Sequence, residues 1–228
     1  MQETGETTSG EKSTDSGTLE PPGVMGRLLL ASASPRRYQL LDQIGLAPDD
    51  VLATSIDETP RHRERPRVYV ERIAREKASA AYAMTRHDPV RSQAYILAAD
   101  TVVVLGSRIL PKAETGADAA HCLRMLSGRA HRVYTSVVVV TPSGRQSQRL
   151  VEARVRFKRL SLTEIDAYLA SGEWEGKAGG YAIQGFAGAF VTKIIGSYPA
   201  IVGLPLYETA ALLEGAGFPV HLRWLRGK

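Results

Sequence analysis

The chain has 228 residues, of which 43% are hydrophobic and 23% are charged, and it contains a single cysteine, Cys122. This apolar content is sufficient for a buried core, whereas one cysteine excludes an intrachain disulfide and a cysteine-rich zinc site. No segment reaches the roughly 18 consecutive apolar residues that a membrane span requires. These features predict a protein of the cytoplasm that has no membrane partner.

Charge is distributed unevenly along the chain. Residues 1–25 hold five acidic side chains and one basic side chain, a net of −4, while the whole chain carries +5, so residues 26–228 carry +9. We predict that residues 1–25 form a disordered acidic tail, because few of their side chains are apolar, and that residues 26–228 form one domain. The basic domain is compatible with a nucleic-acid partner, a small polyanionic substrate or simply a basic surface.

Strand and helix signals alternate in the first part of this domain. The apolar run Leu28–Ala31 favours a buried strand, and Ser34 followed by Pro35 is typical of a helix start. This helix should end near Ile44, before Gly45. Three further elements follow in chain order: a short strand, a long helix with one apolar stripe, and a buried strand interrupted by two polar residues, at residues 51–54, 67–85 and 95–105.

The second part of the domain contains a predicted hairpin. Strands at residues 131–141 and 148–157 flank Pro142-Ser143-Gly144, which is a turn signal. The other elements are a helix before the hairpin and, after it, a helix, a glycine-rich loop, a strand, a helix and a last strand, at residues 118–126, 161–170, 176–188, 190–195, 205–213 and 220–225. Alternating strands and helices with one antiparallel hairpin predict an α/β fold with a mixed sheet.

Two groups of polar side chains stand out from their surroundings. The segment from Ser32 to Arg37 places two hydroxyls and two arginines at a predicted helix start, which favours anions. A serine cap with solvated arginines is the structural alternative. Asp100 lies within the apolar run 96–104, where a carboxylate requires a charged partner, a metal or a catalytic role.

Four further residues are weaker candidates when each is taken alone. Lys77 lies on the apolar stripe of the long helix, where a lysine either extends to solvent or is held in a site. Glu58 lies in a polar loop after the second strand, Lys112 follows a short apolar run, and Gln184 lies in the glycine-rich loop. With the two groups above, they form a set of acids, cations and an amide.

Other catalytic motifs are absent or incomplete in the sequence. Gly172-x-x-x-Gly176-Lys177-Ala178 has the appearance of a phosphate-binding loop, but its glycines are one residue too close and Ala178 replaces the metal-binding serine or threonine. We therefore reject it as a phosphate-binding loop. The chain also lacks a dinucleotide-binding glycine motif, an HExxH zinc motif and a nucleophile elbow.

Six sequence blocks, in the same order, resemble the signatures of the Maf-type nucleotide pyrophosphatases. They extend from residue 27 to about residue 213 and comprise Leu30–Arg37 with Leu40 and Leu41, Ala74–Ala78, Ala98–Val103, Leu126–Gly128, Lys177–Gly185 and Gly196–Pro205. Two details depart from the usual pattern of the family. Gln39 replaces a common glutamate, and Pro111 and Ala113 flank Lys112 in an unusual way.

The resemblance implies both an activity and a fold. The family hydrolyses nucleoside triphosphates between the α and β phosphates, and its fold is a mixed-sheet α/β structure with two lobes around a deep cleft, similar to inosine triphosphatase. Arg36, Thr101 and Gln184 follow the pattern of the branch that acts on dTTP and UTP rather than on 7-methyl-GTP. We therefore expect a homodimeric dTTP/UTP pyrophosphatase, with modified pyrimidine nucleotides as further candidate substrates.

The resemblance also implies roles for the candidate residues. Asp100, Lys77 and Lys112 are expected to be catalytic, and Glu58 and Asp100 are expected to bind a divalent cation, Mg, Mn or Co. A triphosphate carries about four negative charges, which several cations must neutralise. Substrate contacts are expected from seven side chains: Ser32, Ser34, Arg36, Arg37, Glu58, Thr101 and Gln184.

Two other functions are compatible with the sequence. The basic domain and the arginine-rich segment 61–67 are features of nucleic-acid-binding modules, but aromatic side chains are few and are not interleaved with the basic ones, so no stacking surface is predicted. The second alternative is a Maf relative without catalytic activity that acts in cell-division control, and the complete set of acids and cations argues against it. We expect a nucleotide substrate and no nucleic-acid partner.

Overall fold

The computed structural model describes Met1 and residues 26–226. The predicted tail after Met1 lies outside the described residues and stays a prediction. The seven strands are β1 (Arg27–Leu30), β2 (Asp50–Val51), β3 (Ala94–Leu105), β4 (Arg108–Leu110), β5 (Ala130–Val140), β6 (Gln146–Phe157) and β7 (Val191–Ile195). The α-helices are α1 (Pro35–Gln43), α2 (Pro66–Thr85), α3 (Gly116–Leu126), α4 (Leu162–Ala170), α5 (Tyr198–Val202), α6 (Leu206–Gly215) and α7 (Val220–Arg226).

All seven strands belong to one mixed sheet. Its order is β2-β1-β3-β5-β6-β7, and β4 pairs with the end of β3. β1 is parallel to β2 and β3, whereas β3, β5, β6 and β7 pair antiparallel in turn. The predicted hairpin corresponds to β5 and β6, and the mixed sheet confirms the predicted α/β class.

β3 is continuous through Asp100 and Thr101, but its pairing with neighbouring strands is interrupted along one edge. β1 pairs with β3 only as far as Leu30 with Leu97, and β4 begins to pair at Val103. Residues 98–102 therefore have no strand beside them on this edge within the described part of the chain, whereas β5 pairs along the whole opposite edge. The sequence signal that predicted an interrupted strand marks a local split in the sheet.

The two faces of the sheet pack against different cores. α2 covers one face with a stripe of alanines, whose small side chains let the helix approach the strands closely, and the larger core fills the other face. Because side chains alternate along a strand, Ala98 and Val102 of β3 face α2 while Ala99 and Val103 face the larger core. The same alternation directs Asp100 towards α2.

The last predicted element is wrong in type. Residues 220–225 form helix α7 rather than a strand. Apolar residues alternate here as in a strand, but the inward contacts follow helical spacing: Val220 is buried, Arg223 donates to the carbonyls of Ala47 and Gly26, and Trp224 Nε1 donates to the carbonyl of Ile44 at 2.6 Å. This packing outweighs the strand pattern, as tertiary contacts often outweigh local propensity.

The other differences concern short elements. Instead of the predicted strand at residues 51–54, the structure has the two-residue strand β2, Asp50–Val51, and neither β4 nor α5 was predicted. The long helices lie where periodicity placed them, and α4 begins with the capping box of Ser161 and Glu164, a motif that fixes a helix start. None of the helices within residues 26–226 is both long and apolar enough to cross a membrane.

Candidate active site

A cavity of about 300 Å³ opens at the split in the sheet. Its lining comes from the end of β1, the start of α1, α2, the unpaired part of β3, the segment after β4 and the glycine-rich loop. All ten residues that the sequence nominated line this cavity: Ser32, Ser34, Arg36, Arg37, Glu58, Lys77, Asp100, Thr101, Lys112 and Gln184. Their roles in catalysis or binding stay predictions.

Four charged side chains in the cavity form a connected network, which we call the paired cluster: Glu58, Lys77, Asp100 and Lys112. Lys77 Nζ lies 2.7 Å from Asp100 Oδ1 and 2.8 Å from Glu58 Oε1. Lys112 Nζ lies 2.6 Å from Glu58 Oε2. Lys77 and Asp100 are both buried, at 7% and 4% exposure. The lysine on the apolar stripe of α2 is therefore held by two acids rather than extended to solvent.

The two lysines hold the side chain of Glu58, and Tyr69 holds its backbone. Burial alone would raise the pKa of Glu58, but hydrogen bonds from Lys112 and Lys77 lower it to about 2. The hydroxyl of Tyr69 donates to the Glu58 carbonyl at 2.8 Å, which ties the polar loop to α2. Burial, reinforced by the charges of Asp100 and Glu58, raises the pKa of Tyr69 to about 12. Tyr69 is thus a neutral donor at neutral pH.

Arg37 joins three segments of the cavity lining. Its guanidinium donates to the Gly203 carbonyl at 2.9 Å, to Ser32 Oγ at 3.0 Å and to Thr101 Oγ1 at 3.3 Å. Gly203 adopts φ +137, a conformation that side-chain-bearing residues avoid, and this turn presents its carbonyl to Arg37. Burial lowers the pKa of Arg37, and the charge of Asp100 opposes that shift. Three of the five guanidinium donors are thus committed to the protein.

The hydroxyl of Thr101 is also committed. Thr135 Oγ1 donates to the carbonyl of Ala200 at 2.7 Å, and it lies 3.0 Å from Thr101 Oγ1. Because the single proton of Thr135 is used, Thr101 must donate its own proton to Thr135. Thr101 can therefore only accept a hydrogen bond from a bound molecule. This restricts the substrate contact that is expected of Thr101 to the role of an acceptor.

Arg36 and Gln184 differ from these residues in having open polar groups. Arg36 is half-buried, and its guanidinium makes no hydrogen bond or ion pair with the part of the chain that the structure describes. Burial and the neighbouring charge of Arg37 lower the pKa of Arg36. The side chain of Gln184 is exposed at the mouth of the cavity. Both side chains are available to a ligand.

Lys177 also lines the cavity, although the motif that contains it, Gly172-x-x-x-Gly176-Lys177-Ala178, was rejected as a phosphate-binding loop. Its segment pairs with the segment of Lys112: the Ala113 amide donates to the Lys177 carbonyl at 3.1 Å, and the Gly179 amide donates to the Pro111 carbonyl at 2.9 Å. Pro111 contributes only its carbonyl, so the missing N–H of proline costs no hydrogen bond here. The unusual neighbours of Lys112 are therefore accommodated by this pairing.

The glycine-rich loop rests on buried aromatic side chains that the sequence did not nominate. The Ala182 amide donates to the Tyr168 hydroxyl at 2.9 Å, and His131 Nε2 lies 2.8 Å from the hydroxyl of Tyr181. At the end of the loop, a Cβ on Gly185 would lie 2.1 Å from Glu173 Oε2, so a side chain there would displace the carboxylate that accepts from the Phe186 amide at 2.8 Å. These contacts fix the backbone on either side of Gln184.

The two acids of the paired cluster fit a divalent cation that is shared with a substrate. No group of three or more His, Cys, Asp or Glu side chains within the described residues could hold a metal by itself. Glu58 and Asp100 converge on the same ammonium group, and carboxylate oxygens have lone pairs for further partners. Magnesium is commonly bound by one or two carboxylates together with substrate phosphates, which is the donor set that this cavity offers.

Comparisons with known proteins agree on one family. The family model described as Maf-like protein matches residues 27–216. The chain is 57% identical to a dTTP/UTP pyrophosphatase of Mesorhizobium japonicum over 90% of this chain and 99% of the relative. It is 59% identical to a dTTP/UTP pyrophosphatase of Rhodopseudomonas palustris over 87% of this chain and 96% of the relative. The chain therefore belongs to the Maf-like protein family, as its sequence blocks indicated.

Proposed function

We propose that the protein is a nucleoside triphosphate pyrophosphatase that converts dTTP and UTP, with water, to the monophosphate and pyrophosphate. The observation that carries the proposal is the paired cluster in a cavity that also holds Arg36, Arg37 and Lys177. Relatives that share more than half of their residues with this chain bear the name dTTP/UTP pyrophosphatase. Modified pyrimidine triphosphates belong to the same substrate class.

Asp100 is the proposed proton acceptor for the attacking water. Its Oδ1 is bonded to Lys77, which leaves Oδ2 for a water or a substrate-bound cation. As the water oxygen bonds to phosphorus, the bond to the oxygen bridging the α and β phosphates breaks, and the water proton passes to the carboxylate. General bases of this kind contribute roughly 10²- to 10⁴-fold to rate.

The lysines of the paired cluster have two proposed tasks. Lys77 fixes the orientation of Asp100 and Glu58, since it contacts both. Lys112 is half exposed on Glu58, so it can turn towards a phosphate oxygen when the substrate enters. Positive charge placed where the transition state gains negative charge is the largest electrostatic contribution to phosphoryl transfer.

Glu58 and Asp100 would hold a divalent cation, Mg, Mn or Co, together with the phosphates. When bound, the cation would neutralise charge on the phosphate oxygens. The low pKa of Glu58, about 2, keeps this ligand ionised at every pH at which the protein would work. A cation is thus supported by two ionised or ion-paired carboxylates at one point of the cavity.

Base selectivity is assigned to the mouth of the cavity. Gln184 offers both a donor and an acceptor, which match the acceptor and donor of a uracil-type ring. Thr101 contributes an acceptor only. Three further expectations are a homodimer, a location in the cytoplasm and the lack of a nucleic-acid partner. Light scattering coupled to size exclusion tests the oligomeric state, and cell fractionation tests the location. Gel shifts with generic RNA and DNA test nucleic-acid binding.

The decisive experiment measures pyrophosphate release from a panel of natural and modified nucleoside triphosphates, each with Mg, Mn or Co. We expect release from dTTP and UTP with the monophosphate as the second product. Release of inorganic phosphate instead of pyrophosphate, or no turnover of any triphosphate with any of the three cations, contradicts the proposal. No turnover together with a gel shift would favour the nucleic-acid-binding alternative.

A further inference from the structure

The charges in the cavity are not balanced evenly. The paired cluster holds two acids and two lysines in mutual contact. Arg36 and Lys177 line the same cavity, but no carboxylate lies within ion-pair distance of either one in the described part of the chain. We call these two residues the cation pair. No ion pair within the described residues neutralises the positive charge of these partly buried side chains.

Lys177 is held in position by backbone contacts on several sides. Its ammonium donates to the Glu175 carbonyl at 2.7 Å, and its own carbonyl accepts from the amides of Ala113 and Gly180 at 3.1 and 2.9 Å. The contact with the Glu175 carbonyl uses one of three ammonium donors. Two donors are therefore available to a ligand from a fixed backbone.

Burial and neighbouring positive charge disfavour the charged forms of both members of the cation pair. Burial lowers the pKa of Lys177, the charge of Arg36 lowers it further, and the charges of Glu175 and Glu173 only partly oppose this. The pKa of Arg36 is also lowered, by burial and by Arg37. An anion between Arg36 and Lys177 would relieve both effects, because opposite charges attract most strongly where water is excluded.

We propose that Lys177, together with Arg36, binds the β and γ phosphates of the substrate and retains them as the pyrophosphate product. The proposal rests on the proposed function for the identity of the substrate. The outer phosphates carry most of the charge of a triphosphate, and the carboxylates of the paired cluster would repel them in the absence of a cation. Arg36 and Lys177 are cations of the cavity lining that form no ion pair with an acid within the described residues.

A neutral base is a poorer occupant of the same place. Carbonyl oxygens of uracil could accept from Arg36 and Lys177, but a neutral ring would leave two like charges unneutralised. The two assignments differ in which product needs Lys177. A phosphate subsite makes pyrophosphate binding depend on Lys177, whereas a base subsite makes nucleoside monophosphate binding depend on it.

Titration calorimetry of the full chain with inorganic pyrophosphate and, separately, with UMP in one magnesium buffer tests the proposal. Lys177→Gln should raise the Kd for pyrophosphate about tenfold, the fold-change expected for one lost charge-assisted hydrogen bond, and leave the Kd for UMP unchanged. Lys177→Arg keeps the charge and should stay within about threefold of the parent. Lys193→Gln removes an exposed lysine outside the cavity and should change neither constant.

The outcomes separate this proposal from the proposed function. An unchanged pyrophosphate Kd in Lys177→Gln, or a raised UMP Kd with pyrophosphate unaffected, overturns the phosphate subsite even if the parent hydrolyses UTP. A parent that binds no pyrophosphate overturns it as well. Lys177-dependent pyrophosphate binding in a parent without UTP turnover supports the subsite and contradicts only the proposed function. Thermal melting of each variant confirms that the folded proteins are compared.

Discussion

The paired cluster and the cation pair share one cavity but differ in how their charges are satisfied. In the paired cluster, Lys77 is held between Asp100 and Glu58 at 2.7 and 2.8 Å, so its charges are balanced before any ligand arrives. In the cation pair, neither Arg36 nor Lys177 forms an ion pair with an acid in the described part of the chain. The charge of Arg36 lowers the pKa of Lys177, and the charges of Glu175 and Glu173 only partly oppose that shift. The first arrangement stabilises the fold and positions reactive groups. The second is completed only by an anionic ligand.

The largest expected effect concerns Asp100 in the paired cluster. Asp100→Asn preserves the shape of the side chain but removes its charge, so it can neither accept a proton nor support a cation. We expect kcat for UTP to fall by at least about 100-fold, the lower range for the loss of a general base. Initial rates of pyrophosphate release at saturating UTP measure this change.

Asp166→Asn is the matched control, because Asp166 is an exposed acid on α4, and it should retain the parent rate. Circular dichroism should show that both variants are folded. A rate for Asp100→Asn within a fewfold of the parent would remove Asp100 from the catalytic role and leave it as an ion-pair partner of Lys77.

The next effect contrasts the stability contributions of the two lysines. Lys77→Met leaves the buried Asp100 without its partner, and removal of one member of a buried ion pair costs about 3 kcal/mol or more. Lys177→Gln removes one of two like charges and should leave the free energy of unfolding unchanged or raise it. Urea denaturation at pH 7 measures both values.

The double variant Lys77→Met with Asp100→Asn provides the internal check. It removes the unpaired carboxylate, so it should recover part of the stability that Lys77→Met loses. Equal losses for Lys77→Met and Lys177→Gln would show that the distinction between the paired cluster and the cation pair has no energetic consequence.

Much of the cavity could be predicted because its residues contradict their local surroundings. A carboxylate in a buried strand, as at Asp100, and a lysine on an apolar helix stripe, as at Lys77, are costly unless they meet a partner. The structure shows that they meet each other, through strand alternation in β3 and helical spacing in α2. Period and burial marked these two residues, although the helix pattern alone also allowed Lys77 to extend to solvent.

Other features depend on long-range pairing, which a single sequence does not encode locally. Lys177 was marked in the sequence only by an imperfect phosphate-loop motif and as the first residue of the family block Lys177–Gly185, and the pairing of its segment with that of Lys112 brings it to the cavity. Two of the three partners of Arg37, Thr101 and Gly203, are 64 and 166 residues away along the chain. For α7, alternating apolar residues indicated a strand, but contacts with the loop after α1 favour a helix.

A smaller effect tests how the mouth of the cavity is divided between base and phosphates. Gln184→Glu replaces an amide that both donates and accepts with a carboxylate that only accepts. The carbonyl of uracil then faces an unpaired group in the complex, which costs about 1–3 kcal/mol, or roughly ten- to a hundredfold in kcat/KM for UTP. Steady-state kinetics with UTP and CTP measure the change.

The amino group of CTP can donate to the new carboxylate, so kcat/KM for CTP should fall less than that for UTP. Gln39→Glu is the control, since Gln39 is an exposed residue of α1 outside the cavity, and it should leave both values unchanged. If Gln184→Glu lowers UTP and CTP equally, Gln184 shapes the mouth without reading the base.

The smallest effect concerns His131, which supports the loop of Gln184 from below and carries no charge at neutral pH. Burial lowers its pKa to about 4, below the usual value of about 6.5 in an unfolded chain. Between pH 6.5 and pH 4 this histidine is protonated in the unfolded state but not in the folded state, so the free energy of unfolding decreases as pH falls through this range. The resulting decrease in the free energy of unfolding is about 2 kcal/mol between pH 7 and pH 5.

Urea unfolding of the parent and of His131→Gln at pH 7 and pH 5 measures this contribution. The glutamine retains a polar partner for the Tyr181 hydroxyl, which lies 2.8 Å from His131 Nε2, but it cannot titrate. Between pH 7 and pH 5, the free energy of unfolding of the variant should therefore decrease by about 2 kcal/mol less than that of the parent. His121→Gln, at an exposed position of α3, should keep the pH dependence of the parent. If His131→Gln loses as much stability as the parent, His131 keeps an ordinary pKa in the folded protein, and the acid sensitivity must come from carboxylates such as those of the paired cluster.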